Sequence, residues 1–543
     1  MNARIVILAL VSLLLGIGIV VGCGPQTTPG DEASSQETVA QVEKSEGNEP
    51  VTQQDASEPT AEPAPDRSAP PEPEPATEEP AQSEPEPTLP EPEPVVEEEP
   101  KPVSYHKDIR AIIKQRCLGC HDKNGIGPFE LNTYTSIKNM KTLIRSAIQE
   151  RRMPPWLAKN SCKDYKNNFD LTDEERTKFI KWIDDGVIEG DPKDYVDPPP
   201  PGQIGLPRVD LSLKMKKPYT PNRKPDDYRC FVLDWPYKKD KFITGFQVKP
   251  GNTKLVHHII AYLAYPNEAS RYTKKDPNAG GYRCYGVAGG PAGIRWIGVW
   301  APGVPGAPYP TGTGIKVPPG SKIILQAHYS VLTNSPAPDQ SAVEFMLADS
   351  VKQQAMFLPW TNPSWLSRRG MKIPAGQSNV KHEFSVDLIA TAFPLLLQLA
   401  KQNNLDIKAI EKILKELKAL TIHSAMLHMH LRGHAGSLFI EKARTKNCLL
   451  DIPRWDFNWQ LGFDLKQPIT IRAGDSLGIS CTFDNSAAKQ PVIDGVKQKP
   501  IDIYWGDGTN DEMCLGVFYV TCKGDNDKLI NCPDVGSLLG SFL

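Results

Sequence analysis

Cysteine and histidine are scarce in this chain: 11 and 10 among 543 residues. Chance is therefore a poor source of any tight cluster of the two. No nucleic-acid-binding motif occurs, so DNA and RNA are not expected partners. A large net charge is also missing, but the value of -3 averages two unlike regions. Residues 24–103 hold 21 acids against three bases and no aromatic residue, whereas the 58 bases and 44 acids beyond them leave the remainder basic by 14. Without a nucleic-acid motif, that basic body reads as Lys and Arg scattered over a solvated surface. The apolar fraction is ordinary at 39%, and the length leaves room for two to four domains.

The N-terminus reads as an export signal over residues 1–23. Asn2-Ala3-Arg4 is a short basic start and Ile5 to Val21 is almost wholly apolar. The run ends in Val20-Val21-Gly22-Cys23 before Gly24. This resembles the lipobox of bacterial lipoproteins, which implies lipidation at Cys23, anchoring to a membrane, and a periplasmic or surface-facing body. Gly24 in place of Asp points to the outer membrane. The plainer alternative is an uncleaved signal anchor, since the run is just long enough to span a bilayer. Residues 24–103, rich in Pro and Glu, cannot bury enough surface to fold. Proline stiffens them into a tether reaching on the order of 100–200 Å.

The first folded unit is expected over 104–197, as a small all-α domain. Its central motif is Cys117-Leu118-Gly119-Cys120-His121. Two thiols and an adjacent imidazole at this spacing suit a covalently bound haem c, with thioethers from Cys117 and Cys120 and iron ligation by His121. A disulfide or zinc half-site does not account for the adjacent His. Tyr105 to Arg116 reads as an amphipathic helix leading into the motif. Thr172 and Glu175 are spaced as a capping box that opens a second helix, with Phe179, Ile180, Trp182 and Ile183 on one side and Gly186 at its end. The layout resembles class I cytochromes c, which implies a distal methionine. Met153, in Arg151-Arg152-Met153-Pro154-Pro155-Trp156, is the candidate; Met140 lies within a helical-looking segment.

After a Pro-rich linker (Val196 to Pro207) the chain turns to short β-branched and aromatic runs cut by Gly and Pro, which predicts antiparallel sandwiches. Candidate metal ligands sit within the strands: His257-His258, His328, His428-Met429-His430, and Met513 in Asp511-Glu512-Met513-Cys514. Residues i and i+2 of a strand face the same way, so His428 and His430 can grip one metal, and a Met513 thioether favours Cu(I). Adjacent His257 and His258 face opposite ways in a regular strand. A shared metal there requires a strand end or a bulge, with His328 as third ligand. Taken alone, each pair is equally an ordinary polar position on a β surface.

Four segments in this order, between Leu206 and Cys522, resemble the copper type II, ascorbate-dependent monooxygenases. The likeness rests on Tyr228-Arg229-Cys230, the His pair, Leu325-Gln326-Ala327-His328-Tyr329, the His-x-His strand, Trp455-Asp456-Phe457-Asn458-Trp459-Gln460 and Glu512-Met513-Cys514. It implies two jelly-roll-like β-sandwiches, over 205–345 and 346–525, with two copper ions. His257, His258 and His328 would hold an electron-transfer copper, and His428, His430 and Met513 the copper that activates O2. It also implies disulfides Cys230–Cys284 and Cys481–Cys514 and places Gln326 near the first site, where a plain core glutamine is an equal reading. Cys522 and Cys532 pair by elimination, while Cys162 and Cys448 have no evident partner.

Two departures from the resemblance stand out. Positions that hold a substrate carboxylate in peptide-amidating relatives are occupied by Met426, Leu515 and Val517, which points to an apolar small molecule. Residues 384–420 look inserted, with Ile407, Ile410, Leu414 and Leu417 at helical spacing, as a surface helix or a lid. A tail is expected over 526–543. The expected function is hydroxylation of a C–H bond with O2, with electrons from an external donor (ascorbate, a quinol-linked donor or another cytochrome) entering through the fused haem. The alternative is a non-enzymatic periplasmic electron carrier or copper-binding protein.

Overall fold

The protein is described from a computed structural model covering residues 102–532, except 124–126, 167, 199–204, 225, 285–287, 290–294, 302–303, 305, 332–334, 368, 403–407 and 494. The expected signal, Cys23, nearly all of the tether, Ile407 and the chain after Cys532 lie outside the described residues. Among the described residues no helix is long and apolar enough to cross a membrane.

The N-terminal part is helical. A π-turn at Tyr105–Ile109 runs into α1 (Arg110–Arg116), followed by α2 (Tyr134–Gln149) and α3 (Asp173–Asp184). Thr172 caps α3 through a reciprocal box with Glu175, and Gly186 leaves it at φ +94°. Ile109, Ile113, Ile137, Ile148, Phe179 and Trp182 form the core, with Cys117 and Met140 packed against it.

The remainder is two β-sandwiches. The first comprises β1 (Leu211–Lys214), β2 (Asp226–Asp234), β3 (Lys241–Lys249), β4 (Val256–Ala264), β5 (Tyr282–Arg283), β6 (Trp296–Trp300), β7 (Ala307–Pro308), β8 (Thr313–Val317), β9 (Lys322–Ser330) and β10 (Ala342–Ala348), with α4 (Ala269–Lys275) between β4 and β5. Its inner sheet has the order β5-β2-β9-β4-β6, and β1-β10-β3-β8 covers it. The second has β11 (Gln353–Trp360), β12 (Val380–Asp387), β13 (Ala419–His428), β14 (Gly433–Lys442), β15 (Thr445–Ile452), β16 (Gly462–Arg472), β17 (Asp475–Phe483), a small hairpin of β18 (Val492–Ile493) and β19 (Val496–Lys497), then β20 (Leu515–Lys523) and β21 (Leu529–Ile530). The orders β11-β20-β13-β16 and β12-β17-β14-β15 face each other across a core of its own. A short parallel pairing of β8 with β11 fuses the outer sheets of the two sandwiches into one.

Three boundaries differ from the sequence expectation. Phe384 to Asp387 ends β12 rather than starting an insertion, because Val380, Phe384 and Val386 pack on the second core with strand periodicity. The inserted helices are a π-turn at Leu388–Ala392, α5 (Phe393–Gln402) and α6 (Lys408–Glu416), and the insertion ends before Ala419 and Leu420, which open β13. At the C-terminus, β21 pairs with β20 and Cys532 bonds Cys522, so the fold continues past residue 525.

Disulfides join Cys162–Cys448, Cys230–Cys284, Cys481–Cys514 and Cys522–Cys532. Four such bonds mark an exported protein folded in an oxidising compartment. Cys162–Cys448, left open by the sequence, ties the helical region to the second sandwich across 286 residues.

Candidate metal and redox site

His257 and His258 end on one side because β4 is bulged. Val256 pairs with Tyr329 and His258 pairs with His328, and the register slips at His257 between them. The extra residue turns the strand so that both imidazoles point the same way. The His258 Nδ1 lies 3.3 Å from the Nδ1 of His257 and 3.3 Å from that of His328. One ligand atom from each of the three histidines lies within 4.8 Å of those of the other two. Burial drives the pKa of His257 and His258 well below the ordinary imidazole value, and the neighbouring histidines add to that depression. Neutral imidazoles with converging lone pairs are what a metal requires.

The Nε2 of His328 is engaged on its far side by Asp226, at 2.8 Å, and Tyr228 stacks on the same ring at 4.1 Å between centroids. Asp226 also accepts from the Thr509 N–H at 3.1 Å, across the seam between the sandwiches. Burial raises this carboxyl, but His328 and Thr509 outweigh it, and the pKa falls below the ordinary value. Gln326 turns elsewhere: it accepts from the Tyr262 hydroxyl and donates to the Cys284 carbonyl, bracing the Cys230–Cys284 disulfide.

His428 and His430 do not both stand on a strand, contrary to the sequence expectation. β13 ends at His428, and His430 lies beyond it. Its backbone is held by Glu512, which is fully buried and accepts from the N–H groups of His430 (2.8 Å) and Arg432 (2.5 Å), and also from that of Met513. One carboxylate thus ties the His430 turn to the Met513 loop. Arg432 reinforces the tie by donating to the Asn510 carbonyl. Trp455 closes over the turn, its indole N–H donating to the His430 carbonyl at 3.0 Å. Gly433 is required there, since a Cβ would come within 2.5 Å of the Trp455 ring.

The Nδ1 atoms of this pair are occupied by Gln460 Oε1 (2.6 Å from His428) and the Asp511 carbonyl (3.1 Å from His430). Both acceptors call for a proton on Nδ1 and leave Nε2 as the free lone pair. The rings meet at 5.0 Å, and burial lowers the pKa of His428 to about 4 and that of His430 well below the ordinary value. Two imidazoles and a thioether are a donor set suited to Cu(I), and Glu512 ties the backbone of Met513 to the turn that carries His430. The two histidine sets face each other: His258 and His428 are 6.3 Å apart between centroids, and Phe457 stacks on His257 at 4.4 Å. Next to them Val517, Met426 and Leu515 pack with Val232, Ile260 and Tyr262 of the first sandwich in an apolar cluster.

In the helical region, Cys117 and Cys120 are free thiols, whereas the other eight described cysteines are paired. Burial pushes the Cys117 thiol up to about 12, keeping it neutral. His121 Nδ1 lies 2.9 Å from the Phe129 carbonyl, which leaves Nε2 for a ligand. Gly127 passes so close that a Cβ would fall 2.5 Å from that Nδ1. Two unpaired thiols and an oriented imidazole fit a covalent haem. Met153 sits beyond α2, its N–H donating to Ala147 O at 3.1 Å. Phe129 and Gly127 flank the His121 ring.

Asp226, Thr509, Glu512, Phe457 and Gln460 received no role from sequence. The last three lie inside or beside the quoted motifs. Asp226 carries no local signal, because its partner His328 is 102 residues away.

No curated protein matches the chain. Similar solved structures include broad bean stain virus (9% identity, TM-score 0.22, covering 56% of this chain and 78% of that one) and the infectious bursal disease virus VP2 subviral particle (9%, 0.15, 62% and 77%). At those scores the likeness carries no argument. Residues 400–532 match the family model of the copper type II ascorbate-dependent monooxygenase C-terminal domain, which supports that family, and with it copper and monooxygenase chemistry, for the second sandwich.

Proposed function

We propose that this chain is a copper-dependent monooxygenase that hydroxylates a C–H bond of an apolar small molecule, with electrons entering through a haem c. The observation that carries the reading is the confrontation of two histidine sets across the seam, one of them within the matched family domain. His257, His258 and His328 would hold one copper through Nδ1. His428 and His430 would hold the other through Nε2, with Met513. Copper there supplies O2 activation when bound, and haem supplies one-electron storage. One oxygen atom enters the product and the other leaves as water, so two electrons come from an external donor such as ascorbate, a quinol-linked donor or another cytochrome.

The chain's own residues set the conditions. Asp226, Gln460 and the Asp511 carbonyl fix the ring tautomers, and Glu512 holds His430 and Met513 together. Met426, Leu515 and Val517 offer an apolar wall with no cation for a substrate carboxylate. Cys117 and Cys120 would carry the haem, with His121 and Met153 as axial ligands. Lipidation at Cys23 and the 24–103 tether would hold the body at a membrane, facing the periplasm or the surface. Metal and haem analysis with oxygen-uptake measurements tests the reading. The expected result is two coppers, one covalent haem and O2 uptake stimulated by an apolar substrate. One copper or none, without stimulated uptake, would refute it in favour of an electron carrier or copper-binding protein.

A further inference from the structure

The segment between α2 and α3 leaves the helical core and is built into the second sandwich. Leu157, Ala158 and Tyr165 belong to that sandwich's core. Backbone bonds run from Lys159 N–H to Asp451 O, from Lys166 N–H to Asp464 O and from Lys466 N–H to Asp164 O. The Tyr165 hydroxyl donates to Leu449 O, and Cys162–Cys448 locks the same seam. All these contacts fall on β15 and β16, and β13, which ends at His428, pairs with β16.

A continuous line of contacts crosses this seam. Arg116, the residue before Cys117, donates to Asn168 O at 3.1 Å. The Asn168 side chain donates to Asn160 Oδ1 at 2.9 Å, and the Trp156 indole N–H donates to the same oxygen at 3.1 Å. Trp156 packs edge-on against Phe463 at 5.0 Å between centroids. Phe463 pairs in register with Ala425, three residues before His428. It also lies three residues after Gln460, whose side chain contacts His428 Nδ1 at 2.6 Å. The other histidine set is one step further, through Phe457 stacked on His257.

We propose that the Trp156–Phe463 contact is an electron inlet that delivers the haem electron to the His428, His430 and Met513 set first, and not to the His257, His258 and His328 set. This rests on the function proposed above. Tunnelling through bonded and hydrogen-bonded atoms outruns tunnelling through gaps, and the recorded line of contacts ends on His428. The step is one electron from ferrous haem to Cu(II), which leaves ferric haem and Cu(I), with no proton or further reactant.

The test is anaerobic mixing of the full-length, copper(II)-loaded protein with a haem-selective reductant. Haem oxidation is followed optically and the two Cu(II) signals by freeze-quench electron paramagnetic resonance. His328→Ala and the His428→Ala/His430→Ala pair, each emptying one set, assign the signals. The inlet requires the His428 set's signal to bleach in step with haem oxidation, ahead of the other. First or simultaneous loss of the His257 set's signal overturns it. Trp156→Leu removes both the ring on Phe463 and the indole N–H to Asn160, and should slow haem oxidation about tenfold or more. A rate equal to the parent's, with haem and copper content intact, overturns the role of Trp156. A parent protein with both copper and haem but no haem oxidation refutes the donor reading itself, an outcome distinct from a wrong order of bleaching.

Discussion

Asp226→Asn probes the seam most directly, because this one carboxylate binds a candidate ligand of the first sandwich and the Thr509 backbone of the second. It engages the His328 Nε2 at 2.8 Å and accepts the Thr509 N–H at 3.1 Å, with 8% of its side chain exposed. An asparagine of the same size keeps one acceptor oxygen and turns an NH2 group towards the other donor. One buried N–H is then unmatched, at a cost of about 1–3 kcal/mol. If the NH2 faces His328, the ring proton moves to Nδ1 and removes one of the three converging lone pairs. Loss of an outer partner of this kind typically costs about 10–100-fold in metal affinity. Competitive copper titration of the apo protein, with a urea unfolding curve alongside, reads both effects. One copper equivalent should weaken by about 10–100-fold, and the unfolding free energy should drop by about 1–3 kcal/mol. Both affinities unchanged, with an unmoved denaturation midpoint, would refute the cross-seam role of Asp226.

The other predictions are as follows. Glu512→Gln leaves at least one of three buried N–H groups facing an NH2 group, so the apo protein should lose about 1–3 kcal/mol in chemical denaturation; no loss would show that Glu512 does not hold the His430 turn. His423 is half-buried beside Thr521, and that burial lowers its pKa to about 4, against 6.5 for the unfolded chain. Its contribution is intact above pH 6.5 and erodes as acid charges the unfolded ring first, so His423→Gln should flatten the fall in stability between pH 6.5 and 4. Cys448→Ser frees the seam that Cys162 closes. It should cost about 2–5 kcal/mol and open residues 154–166 to limited proteolysis; an unchanged digestion pattern would show that the backbone pairing suffices. Gly127→Ala drives a Cβ into the His121 ring and should lower the yield of covalent haem, read from the haem absorbance per chain.

Several features were legible because their cause is local in the chain. The Thr172–Glu175 box joins residues three apart, and the 117–121 motif holds its two thiols and imidazole within five residues. Short β-branched and aromatic runs cut by Gly and Pro predicted strands, and the capping pattern predicted α3. Locality fails where a strand pattern ends. Phe384 reads as the start of an insertion only until β17 lies beside it, and nothing in His428-Met429-His430 says that the ladder stops at the first histidine.

The amino-acid sequence by itself thus singled out the candidate side chains: the haem-type motif, the histidines, the thioether and the apolar residues near them. Only the tertiary structure decided how they meet. The slip at His257 is set by the pairing of β4 with β9, and the Asp226 contact by the pairing of β2 with β9. The same holds for the Phe457 stack on His257, the Trp156–Phe463 contact and the disulfide across 286 residues. Each is settled by sheet register and by packing between segments 70 or more residues apart, and a local stretch of sequence carries no energy term that depends on either.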